Sequence, residues 1–243
     1  MHDSIETLWL STSASLHRFN LPLLRHLAQH TVVGQWQYDQ TPDEANSVDT
    51  AITLLHDYLG RYDRPLHLVG HGFSGLLGLL YARQYPNQVR SLTLLSVGAR
   101  PMADWVAHYY FHRHLLNCSR TDVLRQMVVD LFGQQPSLTT QMLANVLQQS
   151  LDQDLSLHSL WQTPCLAPGA APIPVLICGA QDDLVVDTHA IQSWKPWLKP
   201  QDRLWQCPRG YHFFHCFYPQ QVGAVVLNFW HNTELVARQV SVL

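Results

Sequence analysis

The chain has 243 residues, a formal net charge of −3 and 14% charged residues, whereas about a quarter of the residues in an average soluble domain are charged. This length suits one sizeable α/β domain. The sequence shows no basic stripe, which argues against a nucleic-acid partner. A transmembrane segment needs about 18 consecutive apolar residues, and no apolar run in the sequence approaches this length.

Cysteine and histidine usage give no sign of a metal or a disulfide framework. The five cysteines are scattered and include no C-x-x-C pair. His108, His112 and His114 are closely spaced, but no carboxylate lies in the same stretch. The first six residues have neither the basic region nor the apolar segment of a signal peptide. We therefore expect a cytoplasmic protein without a cofactor or metal.

The first part of the chain alternates strands with helices. A short strand at residues 7–10 leads into a loop of small residues and then a helix at residues 21–30. A second strand follows at residues 31–38, from Thr31 to Tyr38, and the next helix keeps its apolar residues at helical spacing. This alternation predicts a right-handed, mostly parallel sheet.

The next strand turns sharply into a helix. Residues 66–71 form an apolar run that ends at a cluster of glycines, where an almost entirely apolar helix begins. Gly75, Gly78 and Ala82 fall on one side of this helix, so its backbone can lie close to the sheet. By itself the pattern describes a buried strand, a tight turn and a buried helix of a βαβ unit.

Residues 69–75 also resemble the nucleophile elbow of the α/β-hydrolase fold, G-x-S-x-G, in which a strained turn presents a serine at the top of the sheet. The common form G-H-S-x-G-G is matched at Gly70, His71 and Gly75. Gly72 stands where the family has its nucleophile serine. The resemblance implies a three-layer fold with this glycine at the apex of the elbow.

A register shifted by two residues would make Ser74 the nucleophile. It would place Leu76 where the family needs a small residue, and it would move the turn into the helix. We therefore interpret Ser74 as the small residue after the apex.

The resemblance also implies two backbone N–H groups that hold an oxyanion. One belongs to the residue after the apex, here Phe73. The other belongs to the loop after the first strand, where Ser11 and Thr12 stand in place of the family's usual HG-type sequence. This loop could donate through its backbone, although the usual signature is absent.

Residues 99–172 interrupt the alternation with helical patterns alone. In the family this place holds a helical cap that roofs the site, so the resemblance implies a core of residues 1–98 and 173–243 and a cap of residues 99–172. Trp105 and Tyr109 are predicted to contact the substrate. They belong to a set of aromatic residues that could equally form the cap's own core: Trp105, Tyr109, Tyr110, Phe111 and Trp161.

The family's acid and histidine have counterparts further along the chain. The strand that resumes the sheet ends in a G-x-x-D pattern, which assigns the triad acid to Asp182, with Asp183 as its neighbour. Without the resemblance, both could simply cap the next helix. His212 fits the position of the triad histidine, with His215 as the alternative, and Tyr211 is predicted to contact the substrate.

Glycine has no side chain that can attack a carbonyl carbon, so the usual acyl-enzyme cannot form at Gly72. We therefore predict a module that binds a small apolar ligand or a protein partner. One alternative is an ester or thioester hydrolase, or a lyase-type enzyme, that uses a His212–Asp182 dyad as general base. Another is a serine hydrolase whose serine has been replaced.

The front of the sheet differs from the family pattern. The family has an antiparallel pair of strands before the first strand found here, and the sequence leaves no room for it. The strand at residues 31–38 is therefore expected to form a sheet edge. Because an exposed edge can pair with another chain, it predicts an oligomer or partner contact there.

Overall fold

One sheet of six strands organises the residues that the computed structural model describes, which are 5–39, 47–100, 104–115, 118–155 and 169–240. The strands are β1 (Thr7–Ser11), β2 (Val33–Gln37), β3 (Leu66–His71), β4 (Val89–Leu95), β5 (Val175–Ala180) and β6 (Arg203–Cys207). They lie in the order β2-β1-β3-β4-β5-β6, and every neighbouring pair is parallel. The predicted parallel α/β architecture is confirmed.

Helices cover both faces of this sheet. They are α1 (Leu21–Leu27), α2 (Val48–Leu59), α3 (Gly72–Gln84), α4 (Trp105–Leu115), α5 (Arg120–Phe132), α6 (Ser137–Gln153), α7 (Thr188–Gln192), α8 (Phe214–Phe217) and α9 (Pro219–Val240). Within the ranges above, no helix has the length and apolar character to cross a membrane.

The two faces of the sheet carry separate apolar clusters, because successive side chains of a strand point to opposite sides. Trp9 packs with α1, α8 and α9, whereas Leu8 and Leu10 pack with α2 and α3. The cluster that contains Leu8 and Leu10 also includes buried residues of α4, α5 and α6. These three helices lie between β4 and β5, in the stretch predicted as a cap. Trp161 of that stretch lies outside the described residues.

The backbone of α3 touches the end of β3. A Cβ added at Gly70 would lie 2.6 Å from the backbone nitrogen of Gly75, and one added at Gly75 would lie 2.7 Å from the carbonyl oxygen of Gly70. Both positions therefore require glycine for steric reasons. Gly78 faces the sheet, where an added Cβ would lie 3.0 Å from the side chains of Leu10 and Leu92. The close approach predicted for this helix is confirmed.

The strand at residues 31–38 lies at the sheet edge, as predicted. In the structure it is β2, which pairs with β1 on one side. No antiparallel strand precedes β1 in the part of the chain that the structure describes. The edge of β2 is therefore the front of the sheet.

Candidate active site

The elbow lies between β3 and α3, with Gly72 at its apex. Gly72 has φ +51°, in the left-handed region that glycine adopts without a steric penalty. Ser74 is the third residue of α3 and is buried. Its Oγ accepts a hydrogen bond from the backbone N–H of Thr12 at 3.0 Å and lies 3.0 Å from Thr12 Oγ1. The geometry supports the register with Gly72 at the apex and ties Ser74 to the opposite loop.

A buried histidine faces this apex. The imidazole of His212 follows β6, and its Nδ1 lies 3.0 Å from Oδ2 of Asp183, with both side chains fully buried. The other carboxylate oxygen of Asp183 accepts the backbone N–H groups of Val185 at 2.9 Å and Val186 at 3.0 Å. Because a carboxylate accepts the Nδ1 proton, Nε2 of neutral His212 is the basic nitrogen.

The prediction that Asp182 pairs with this histidine is wrong. The Asp182 carboxylate instead accepts the backbone N–H groups of Gly210 at 3.1 Å and Tyr211 at 2.8 Å. The two aspartates are adjacent in the turn after β5, but their side chains leave the backbone in different directions. Asp183 therefore reaches the imidazole, whereas Asp182 holds the loop that leads to His212.

The space beside His212 Nε2 is open at the apex of the elbow. A Cβ added at Gly72 would lie 3.9 Å from Nε2, and apart from the adjacent residues no other heavy atom of the described chain would be within 4 Å. Nε2 is buried and has no hydrogen-bond partner among the residues described. A side chain at position 72 would therefore point towards the histidine base without a steric clash.

The loop that carries His212 is held by two residues that sequence reasoning did not assign to the site. The carbonyl oxygen of His212 accepts the Nε2–H of His71 at 3.0 Å and the hydroxyl of Ser96 at 2.9 Å. Ser96 follows β4 and has φ +51°, which is uncommon for a residue other than glycine. The only sequence signal for Ser96 is its place directly after a buried strand.

Two further buried histidines lie near His212: His71 contacts its ring, and His215 contacts His71. Their ring centroids are close: His71 lies 4.7 Å from His212 and 4.6 Å from His215. Burial, with a smaller contribution from the neighbouring imidazoles, holds the pKa of His71 well below its usual range and lowers that of His215 to about 3. His215, the alternative triad histidine, contacts Asn20 Oδ1 through its Nε2 at 3.0 Å instead of Asp183.

A cavity of about 220 Å³ opens in front of Gly72 and His212. Its wall combines the loop after β1, the start of α3, and residues of α4 and α6. The core contributes Ser11, Thr12, Ser13, Leu16, Asn20, His71, Gly72, Phe73, Ser74 and His212; the inserted stretch contributes Asp104, Trp105, Val106, Tyr110, Ser150, Leu151, Asp154 and Leu155.

Most of the predicted site residues meet at this cavity, but two aromatic residues do not. Tyr211 lies outside the wall, with its ring against Gly133 at the end of α5. Tyr109 borders a neighbouring cavity of about 270 Å³ together with Arg113 and Arg120. Phe111 is 58% exposed. Of the aromatic residues proposed from the sequence, Trp105 and Tyr110 line the site.

The two predicted oxyanion donors differ in their surroundings. The Thr12 N–H is used by Ser74, so it is engaged within the protein. Phe73 is the second residue of α3, and the first N–H groups of a helix have no acceptor inside it. In the described part of the chain, no group of three or more His, Cys, Asp or Glu could hold a metal ion.

The sheet order, the left-handed turn after β3 and the buried histidine–aspartate pair define an α/β-hydrolase fold. No protein-family model matches the sequence. Naproxen esterase (carboxylesterase NP) from Bacillus subtilis has a similar crystal structure, with a TM-score of 0.67 and 14% identity over 95% of this chain and 85% of that one. At this identity the likeness concerns the fold alone.

Two relatives give the family. An uncharacterized protein of Nostoc sp. (strain PCC 7120) is 44% identical over 243 residues, which are 100% of this chain and 97% of that protein. An uncharacterized protein of Synechocystis sp. (strain PCC 6803) is 40% identical over 227 residues, or 93% of this chain and 90% of that one. The chain belongs to the family of these two proteins.

Proposed function

We propose that the protein binds a small organic ligand in the cavity in front of Gly72 and does not form an acyl-enzyme. The observation that carries the proposal is the apex itself. The elbow, the base and the surrounding wall are present, but the residue that would attack a substrate has no side chain. Loss of one triad member leaves only about 10³–10⁴-fold catalysis over water, from the oxyanion hole and binding.

The inserted helices support a binding role. Trp105 of α4 and Leu151 of α6 line the cavity opposite the elbow, so α4 and α6 act as the cap in this proposal. A ligand there would be enclosed by groups from both the core and the inserted stretch, which is the usual arrangement of small-molecule sites.

Binding and covalent chemistry can be tested separately on the unmodified protein. We expect at least one of benzylamine, benzyl alcohol, benzoate and p-nitrophenyl acetate to raise the melting temperature. Leu151→Trp should abolish the shift by filling the cavity, whereas Leu138→Trp, on the exposed side of the same helix, should keep it. A fluorophosphonate should leave no covalent adduct. An adduct, or turnover that a serine inhibitor blocks, would overturn the proposal.

A second candidate function is general-base chemistry by the dyad. It is favoured by the unpartnered Nε2 of His212 and by the 3.0 Å contact between Nδ1 and Asp183. In this case, the histidine would remove a proton from water or from a substrate. The unmodified protein would then hydrolyse p-nitrophenyl esters without inhibition by fluorophosphonate, and His212→Ala would abolish the activity. Turnover that survives His212→Ala excludes the dyad.

Among the described strands, β2 pairs with β1 alone, and this edge position supports a contact with another chain. In this proposal a second copy pairs with β2 and continues the sheet, because an unpaired edge offers a row of backbone donors and acceptors. Analytical ultracentrifugation should then detect a dimer that Gln35→Pro weakens, because residues 32 and 38 bond to β1 and the alternation of a parallel ladder turns the Gln35 N–H to the outer edge. A protein that remains monomeric at high concentration contradicts the proposed contact.

A further inference from the structure

The histidine that faces the elbow has an unused acceptor on the side of the cavity. His212 is fully buried and lines the cavity, and no hydrogen-bond partner of its Nε2 occurs among the described residues. Its Nδ1 lies 3.0 Å from Oδ2 of Asp183, so Nε2 of the neutral imidazole is an acceptor. A buried acceptor that stays unpaired is costly, so a ligand that brings a donor to Nε2 gains affinity.

The missing side chain of Gly72 leaves a space of defined size beside this nitrogen. A Cβ added at Gly72 would lie 3.9 Å from His212 Nε2, and apart from the adjacent residues no other described atom would be within 4 Å. One further covalent bond from that point can bring an oxygen within hydrogen-bond distance of Nε2. The space therefore suits a hydroxymethyl group that a ligand supplies instead of the chain.

The remainder of the cavity suits an apolar body. Its described lining includes the apolar side chains Leu16, Phe73, Trp105, Leu151 and Leu155. The cavity has a volume of about 220 Å³, and a cavity of about 150 Å³ in another protein binds benzene. One six-membered ring with a short substituent therefore fits in front of Gly72.

The two carboxylates of the wall are engaged within the protein. Asp154 accepts hydrogen bonds from Ser13 Oγ, from the Ser150 side chain and from the Ala14 backbone, and burial raises the pKa of this carboxyl group. Asp104 accepts a backbone N–H in the first turn of α4. An ammonium ligand would carry the cost of burying its charge, whereas a hydroxyl group can donate to His212 Nε2 without that cost.

We propose that the cavity binds a small neutral alcohol with an apolar body, whose hydroxyl group lies in the space next to Gly72 and donates a hydrogen bond to His212 Nε2. The inference rests on the proposed binding function and names its ligand class. It narrows the apolar ligand predicted from the sequence to one that carries a hydroxyl group.

Three probes of similar size test the proposal on the unmodified protein. Isothermal titration calorimetry at neutral pH compares benzyl alcohol, its isomer anisole and benzylamine. Anisole has an ether oxygen that can only accept, and benzylamine brings a donor together with a positive charge. We expect benzyl alcohol to bind about tenfold more tightly than anisole, as one hydrogen bond to a buried acceptor supplies. Benzylamine should also bind more weakly than benzyl alcohol.

A variant at the apex assigns the preference to its place in the cavity. Gly72→Ala puts a methyl group into the space beside Nε2, so benzyl alcohol should lose about tenfold in affinity and bind no more tightly than anisole. Gly98→Ala is the matched control, because Gly98 does not line the cavity and a Cβ added there would have its nearest contact at 3.4 Å, to Ala190 Cβ. It should keep the preference of the unmodified protein.

The outcomes separate this proposal from the proposed function. If anisole or benzylamine binds as tightly as benzyl alcohol, the cavity is a ligand site but selection of an alcohol is wrong. If folded Gly72→Ala keeps the preference for benzyl alcohol, the hydroxyl group binds elsewhere and the assignment is wrong. If none of the three probes binds, this proposal is overturned, and the melting-temperature shift by benzoate or p-nitrophenyl acetate decides the binding function by itself. The comparison on the unmodified protein decides even if Gly72→Ala fails to fold.

Discussion

Replacing Gly72 with serine tests whether the elbow still has the geometry of an acyl-transfer site. Among the described residues that are not its chain neighbours, an added Cβ would contact His212 Nε2 alone, at 3.9 Å, so the new hydroxyl would point at an imidazole whose Nδ1 lies 3.0 Å from Asp183. A well-placed general base contributes roughly 10²–10⁴-fold to such a reaction. We therefore expect Gly72→Ser to hydrolyse p-nitrophenyl acetate at least about 100-fold faster than a variant without the hydroxyl.

The backbone at the apex sets the stability cost of the change. With φ +51°, a residue that carries a Cβ loses about 1–2 kcal/mol in the left-handed region. For a domain of this size, about 1 kcal/mol lowers the melting temperature by roughly 2–4 °C. Gly72→Ser should therefore melt roughly 2–8 °C below the unmodified protein, because the cavity side of the turn adds no clash.

Gly72→Ala is the matched control, since it has the same strain at the apex and no nucleophile. Both variants should show the same loss in melting temperature by calorimetry, and only Gly72→Ser should acquire a fluorophosphonate adduct at position 72 by mass spectrometry. Equal ester turnover by the two folded variants would refute the argument that the site has the geometry for acyl transfer.

Three further predictions follow from contacts around the site. In the Gly72→Ser background, Asp183→Asn should reduce ester turnover at least about tenfold, because it disturbs the hydrogen bond between Asp183 and His212 Nδ1. Asp182→Asn should mainly lower the unfolding free energy, by about 1–3 kcal/mol. Equal ester turnover of the two variants would contradict the assignment of these different roles. Gly133→Ala should destabilise the protein more than Gly72→Ala does. Gly133 has φ +74°, and a Cβ added there would also lie 2.5 Å from the Tyr211 ring. Chemical denaturation compares the unfolding free energies of the two variants. Burial lowers the pKa of His215 from 6.5 to about 3, so on acidification the unfolded chain takes up this proton before the folded protein does. The unfolding free energy should therefore fall as the pH drops from 6.5 towards 3, by up to about 1.4 kcal/mol per pH unit. His215→Gln should reduce this pH dependence in thermal melts between neutral and acidic pH, and an unchanged pH dependence would exclude the contribution of His215.

The parallel sheet, the elbow and the histidine were predictable because they depend on local features of the chain. Alternating apolar runs and helical spacings mark the strands and helices. The glycines of the elbow are required by contacts within six residues of each other, such as that between Gly70 and Gly75. The position of Gly72 at the apex follows from that short stretch.

The sequence by itself determined the fold class, the edge position of β2, the tight turn at Gly72 and the presence of a histidine near it. Only the tertiary structure decided that Asp183 and not Asp182 orients His212, because adjacent residues in a turn send their side chains in different directions. It also placed Tyr211 against α5 and brought Ser96 to the carbonyl of His212 across 116 residues of sequence. Side-chain direction in loops and contacts over such separations depend on how the elements pack, and no local spacing encodes them.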